Sequence, residues 1–340
     1  MLDITRTVRD SLKPAVFKAL QVDWIANLKA RALAGSGALT ILNLHRVSDA
    51  QGWGYVAMTP SLFDELIAWL KQRFTLVAFQ DLATLTPNAK PPLILSFDDG
   101  YKDFIEVVVP ILERHRVVCN QNIVANVVES GRPPMNVELQ DFIATAPAAL
   151  LREVPLPGLP QGADPSDRSG SGRIASRSLK WRPIAEQKVI FAEIERQFLR
   201  FDGFRPTKMM SVEDVREVAQ ASEIGVHSYE HASMASESDD YLSEDARRCR
   251  EYFRDRLGFA TTIYAFPNGS FRQGQEELLR AVGYQHVLCV GEAFSRLEEW
   301  RHPRLTMFAA SSVEARFRAL GGVKAPFPSR ARSSNERAGR

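Results

Sequence analysis

The sequence predicts an α/β fold built on a parallel sheet, on three observations. Short apolar, β-branched runs alternate with segments whose apolar residues recur at helical spacing. This alternation repeats through about seven units, which favours a closed barrel over an open doubly wound sheet. The polar residues able to carry chemistry directly follow apolar runs, and in a barrel the C-terminal strand ends hold the active site.

Ala38–Val47 (ALTILNLHRV) reads as the first buried strand. A helix follows over Ser61–Phe74, with Leu62, Leu66, Leu70 and Phe74 on one face, and then the short strand TLVAF. Pro92–Phe97 (PLILSF) is a buried strand ending at Asp98-Asp99-Gly100, Phe104–Arg114 a helix, and Val117–Val128 a strand fraying into a loop. Pro155–Ser178 is dense in Pro, Gly and Ser; with little to bury it reads as a mobile insertion, or alternatively a domain boundary. The rhythm then resumes. Ser211–Ala221 is a helix opened by a capping box of Ser211 and Asp214. Glu223–His227 is a strand, Ser243–Leu257 a helix, Thr261–Phe266 a strand, Gln275–Val282 a helix and His286–Val290 a strand. Arg304–Phe308 reads as a short strand and Val313–Leu320 as the last helix. The expected organisation is an N-terminal helical segment over 1–37, one barrel over 38–320 with the insertion near 155–178, and a disordered tail over 321–340.

Composition narrows the function. The chain has 340 residues, 45% hydrophobic and 25% charged, with a formal charge of +2 from 43 basic and 41 acidic residues. Such a balance excludes wholesale disorder and is not that of a dedicated nucleic-acid binder. The arginine-rich tail (Arg330, Arg332, Arg337, Arg340) reads as solvated. No run of ~18 apolar residues suggests a transmembrane helix. The first twenty residues lack the apolar core of ~7–15 residues of an export signal. Val8, Leu12, Val16 and Leu20 instead suggest an amphipathic helix, docked on the protein or resting on a membrane surface. Three scattered cysteines without a CxxC pair argue against disulfides and a cysteine zinc site. The expected location is the cytoplasm or the inner membrane face.

Four clusters sit at strand ends. The adjacent carboxylates Asp98 and Asp99 repel, so they need a cation or a retained proton, unless they merely cap a loop. His227 and His231 (HSYEH) can aim two imidazoles at one ion. Ser228 stands where a zinc protease of HExxH type carries its glutamate. His45 closes the first strand, and Phe266-Pro267-Asn268-Gly269 makes a turn after TTIYA. Together they describe a hydrolytic metal site.

SFDDGY (Ser96–Tyr101), HSYEH and AFPNG (Ala265–Gly269) resemble, in order and spacing, three motifs of the polysaccharide deacetylase family, carbohydrate esterase family 4. The earlier LHRV segment is similar to the YHxV strand of the exopolysaccharide, poly-N-acetylglucosamine deacetylase branch, although Leu44 replaces the tyrosine. The resemblance spans about Thr40–Phe308 and implies a distorted (β/α)7 barrel, circularly permuted relative to the best-known members. It implies Asp98 as general base, and Asp99, His227 and His231 as ligands of a divalent metal: zinc, or else cobalt or nickel. In this reading the Asn268 backbone N–H stabilises the oxyanion and His45 is the general acid, with His302 as the alternative. Ala265 stands where the family usually has a base-orienting arginine. Arg304 is the candidate to replace it, unless it forms only a surface ion pair. The implied activity is removal of N-acetyl groups from an N-acetylhexosamine-containing polysaccharide or glycan precursor, with a lipid-linked saccharide among the candidates. Alternatives are a deformylase or O-acetyl esterase using the same site, or a degenerate barrel that binds glycan without cleaving it.

Overall fold

A computed structural model describes residues 23–49, 57–86, 89–162 and 166–322. The expected helix through Val8–Leu20 and the tail beyond Gly322 lie outside the described residues. Among the described residues nine strands form one sheet: β1 (Ala38–Leu44), β2 (Thr75–Leu76), β3 (Pro92–Phe97), β4 (Asn120–Ile123), β5 (Glu223–Val226), β6 (Ile263–Ala265), β7 (His286–Val290), β8 (Ser295–Arg296) and β9 (Arg301–Thr306). Seven of them run parallel in the order β1-β3-β4-β5-β6-β7-β9, and β9 pairs with β1 to close the barrel. β2 adds in parallel beside β3, and β8 adds antiparallel to β1.

Strand alternation sorts the side chains into two sets. Leu42, Leu44, Leu93, Leu95, Phe97, Ile123, Val226, Tyr264, Val287 and Leu305 belong to the large core beneath the surrounding helices. Leu39, Ile41, Ile94, Ile263, Ala265 and Leu288 form a separate apolar cluster with Val77 and Phe79, filling the barrel interior. The same inward parity continues up the strands through Asn43, Ser96, Asn120, Asn122, Gly225 and Arg304. The interior therefore changes from apolar to polar toward the C-terminal strand ends. At the opposite end the Glu223 carboxylate accepts the N–H groups of Phe79 and Gln80, both at 2.7 Å, closing the barrel floor.

Several helices start where local chemistry requires. Thr59 caps Pro60–Arg73, with proline at the first helical position. Ser211 and Asp214 form the expected capping box on Val212–Val218. The expected long strand over Val117–Val128 is shorter. After Ile123 the chain turns into the helix Ala125–Ser130, whose Ala125 and Asn126 N–H groups bond the Ser228 and Tyr229 carbonyls. A tertiary contact overrides the β-branched composition there.

Residues 155–178 also depart from the expected mobile loop. Asp167 caps a helix over Arg168–Lys180, accepting from the Gly170 N–H at 2.8 Å. That helix packs on Met135–Thr145 through Gly172, Ala175, Ser176 and Leu179. Small residues permit this close approach, and the packing is invisible to a count of bulky apolar residues. With Ile184–Phe198 these helices enclose a second core containing Leu139, Phe142, Ile143, Leu151, Phe191 and Ile194. The Phe142 ring meets Phe198 at 4.7 Å and Phe204 at 5.6 Å. Replacing Phe142 with alanine is expected to cost about 3 kcal/mol. Urea unfolding followed by tryptophan fluorescence measures it; an unchanged midpoint would contradict this packing.

Candidate metal centre and active site

β3 ends at Phe97, and the next N–H, that of Asp98, donates to the Leu44 carbonyl at 3.0 Å. This bond extends the β1–β3 pairing and keeps Asp98 on the inward parity. Asp99 and Gly100 then adopt φ of 80° and 86°. The reversal turns the Asp99 carboxyl away from Asp98 and toward the end of β5. There His227 continues the ladder, its N–H donating to the Ile123 carbonyl at 2.8 Å. Ser228 and His231 also have positive φ, 64° and 60°, as does Asn268 at 57°. Non-glycine residues in this region are strained, and such strain collects at functional sites. Asp245, on the helix Asp239–Tyr252, holds the histidine loop in shape by accepting from the Tyr229 N–H at 2.9 Å and the Ser228 hydroxyl at 3.3 Å.

Asp99 Oδ1 lies 3.4 Å from His227 Nε2 and 3.2 Å from His231 Nε2. One candidate ligand atom from each residue falls within 4.8 Å of the others, and all three side chains are buried. Both Asp99 carboxylate oxygens are buried without a hydrogen-bond partner. His227 Nδ1 is 2.9 Å from the Ala265 carbonyl, which can only accept, so that nitrogen carries the proton. In the neutral ring the Nε2 lone pair then faces the carboxylate, an arrangement that a cation between them would stabilise. Burial would raise the Asp99 carboxyl, but His227 and His231 hold it well below its ordinary value. Burial lowers His231 and favours its neutral, ligating form, whereas at His227 the charges of Asp98 and Asp99 outweigh burial and raise it. One oxygen and two imidazole nitrogens fit a divalent ion of the zinc type, with positions left open. A possible metal site is thus present, and the donor set fits the group that the motifs imply.

Asp98 is held differently. Arg304, fully buried, donates to it from Nη1 and Nη2, to Oδ1 and Oδ2 respectively at 2.8 Å each. Asn122 Nδ2 donates to Oδ1 at 2.8 Å and also reaches the Phe97 carbonyl and the Ser96 hydroxyl. Ser96 in turn donates to Asn120 Oδ1 at 2.7 Å. Burial pushes the Asp98 carboxyl up, but Arg304, with His227, more than offsets this and keeps it below the ordinary value. An ionised carboxylate in a fixed orientation beside the cluster is equipped to accept a proton. Ala265 offers no guanidinium, and Arg304 reaches the carboxylate from β9, which β1 alone separates from β3.

The structure brings Asp98, Asp99, His227, His231 and Arg304 together. His45, one residue past β1, lies close enough for the charges of Asp99 and Asp98 to favour its protonation, although burial dominates and lowers its pKa. Asn268 sits in the turn Pro267–Gly269, its side chain donating to the Ser233 hydroxyl at 3.1 Å. The Asn268 backbone N–H makes no backbone hydrogen bond among the described residues. His302 is not brought to the cluster. It pairs with His286, the first residue of β7, at 3.0 Å and with Ser295 at 2.9 Å, against Phe79 at the barrel floor. Burial pushes its pKa down to about 3. Sequence reasoning missed Asn122, Ser96, Asn120 and Asp245. The faint signals were the amide pair in NQNI and an acid on the otherwise apolar face of Leu242, Ala246 and Cys249.

The profile of the polysaccharide deacetylase family matches residues 86–287. The chain belongs to that family and is a deacetylase hydrolase by class. No curated protein matches it in sequence. Among solved structures the fold is similar to the Streptococcus pyogenes deacetylase PplD in complex with acetate, at 14% identity and a TM-score of 0.56, covering 83% of this chain and 98% of that one. It is similar to IcaB from Ammonifex degensii, at 16% identity and a TM-score of 0.53, covering 84% and 97%. A de-N-acetylase from Aggregatibacter actinomycetemcomitans matches at 15% identity and a TM-score of 0.50, covering 78% and 94%. Among the described residues no helix is long and apolar enough to cross a membrane.

Two outcomes follow from this geometry. A Cβ on Gly225 would sit 2.1 Å from Asn122 Oδ1. Gly225→Ala must therefore displace the amide from Asp98, at about 1–3 kcal/mol of stability and with a loss of hydrolysis. Activity that survives intact would contradict the role given to Asn122. Burial pushes the Asp245 carboxyl up from 3.8 to about 6. The folded state then holds this proton more tightly than the unfolded chain, so the group's contribution to stability is complete below pH 3.8 and is lost as pH rises to about 6. Asp245→Asn should flatten the pH dependence of the melting temperature across that window.

Proposed function

We propose that the protein removes N-acetyl groups from an N-acetylhexosamine-containing glycan, with a divalent ion, zinc by preference, held by Asp99, His227 and His231. The observation that carries this reading is the pairing of that three-ligand cluster with a separately anchored carboxylate, Asp98. When bound, the ion supplies Lewis acidity, lowering the pKa of water toward ~7 and drawing charge from the acetamide carbonyl. Asp98 accepts the proton of the attacking water on its carboxylate, oriented by Arg304 and Asn122. The Asn268 N–H donates to the oxygen that becomes negative in the tetrahedral adduct. An amide nitrogen leaves only once protonated, and His45, at the end of β1, supplies that proton. Acetate and the free amino sugar result. The guanidinium of Arg304 on Asp98 supports a working base despite Ala265, and so favours hydrolysis over glycan binding alone.

Amine release from chitooligosaccharides by the zinc-loaded protein tests the proposal. Asp98→Asn should lower the rate by about 10²–10⁴-fold while metal content stays constant. Full activity of that variant would contradict it. Chelation should abolish turnover, and zinc should restore it. His45→Gln should lose amide hydrolysis but keep cleavage of an aryl acetate, whose leaving group needs no proton; equal loss on both substrates would remove His45 from the acid role.

A further inference from the structure

Beside the candidate metal centre the helices Met135–Thr145 and Arg168–Lys180 border a cavity of about 350 Å³. Asn136 and Gln140, both buried, contribute from the helix Met135–Thr145, and Arg173, Ser176, Arg177, Lys180 and Trp181 line the rest. Positions 173, 177 and 180 are spaced four and three apart, so the three cations share one face of the helix Arg168–Lys180. None pairs with a carboxylate among the described residues. Other cations between residues 132 and 200 do: Arg132 with Glu138 and Glu195, Arg182 with Glu186, Arg200 with Glu153. Three like charges on one face repel, and an anion among them would relieve the repulsion.

The cavity is tied to the catalytic loops. The Ser233 hydroxyl, two residues beyond His231, donates to the Lys180 carbonyl at 2.5 Å and accepts from Asn268 Nδ2 at 3.1 Å. Ser236 donates to the Trp181 carbonyl at 2.8 Å. Lys180 lies near enough to Asp99 and His231 for each to feel its charge, and its ammonium sits 5.4 Å from the Trp181 ring centre. Trp181 is 43% exposed, a flat apolar face of the kind that accepts a sugar ring.

We propose that the helix Arg168–Lys180 carries a recognition subsite, in which Arg173, Arg177 and Lys180 bind a carboxylate or phosphate group on the glycan while Trp181, just beyond its end, supports the adjoining sugar. The proposal rests on the deacetylase reading for its substrate, and it assigns this helix the choice of an anionic glycan over a neutral one.

Three matched N-acetylglucosamine oligosaccharides test it: one neutral, one with a neighbouring uronic acid and one with a phosphate ester at the reducing end. The zinc-loaded protein should favour one anionic substrate by about tenfold in kcat/KM, as expected for charge-assisted hydrogen bonds. Whichever is favoured identifies the source of the anion. The preference should lie in KM and fade with added salt. It should collapse in Arg173→Gln/Arg177→Gln and persist in Arg173→Lys/Arg177→Lys. Equal kcat/KM for all three substrates, or a preference that the glutamine variant keeps, would overturn the subsite. If no substrate releases amine, the deacetylase reading fails, and calorimetric titration of the same oligosaccharides then decides the subsite alone. Anion-dependent binding lost in the glutamine variant would support it, and its absence would overturn it.

Discussion

Two consecutive buried carboxylates, Asp98 and Asp99, impose the constraint around which the upper half of the barrel is arranged. Neighbouring unit charges repel by a few kcal/mol even at an effective dielectric of about 20. The chain answers by separating them and neutralising each in its own way. Asp98 keeps the inward parity of β3 and receives the Arg304 guanidinium. Asp99 takes a positive φ that turns it to the histidines at the end of β5. The first is satisfied by protein alone. The second ends with two buried oxygens that accept no hydrogen bond, facing two imidazole nitrogens. This division is what the proposed reading uses, with Asp98 as the base and Asp99 as a ligand.

The rest of the barrel serves this division. Leu39, Ile41, Ile94, Ile263 and Leu288 plug its lower half, so the interior is solid rather than a pore. Above them Ser96, Asn120 and Asn122 relay hydrogen bonds to Asp98 within a space that Gly225 keeps open. The helix Ala125–Ser130 and Asp245 hold the histidine loop from two sides. The helix Arg168–Lys180 then reaches the same loop through Ser233, whose hydroxyl donates to the Lys180 carbonyl.

Much of the barrel was legible in the sequence because its strands are buried and bounded by turn residues. Pro92–Phe97, His286–Val290 and the helix Gln275–Val282 coincide with their expected bounds. The residues of the cluster could be listed because each directly follows an apolar run. Pairing between distant strands was legible only as a candidate, since the sequence offered Arg304 either as the partner of the base or as one half of a surface ion pair. Arg304 meets Asp98 over a separation of 206 residues, and only closure of the sheet by β9 and β1 brings them together. His302 shares a strand and a parity with Arg304 but points into the barrel floor, a distinction of height that local pattern does not encode. The helix Arg168–Lys180 was hidden for a different reason. Its packing uses small residues against a neighbouring helix, while its own composition looks like a solvated linker.

The most direct test of the central claim is to load metal-free protein with zinc and measure the bound ion by elemental analysis and X-ray absorption. One ion per chain, ligated by two imidazoles and lost on replacing Asp99 with alanine, is the expected result. Failure to take up zinc, cobalt or nickel, or uptake unchanged by the Asp99, His227 and His231 substitutions, would contradict it.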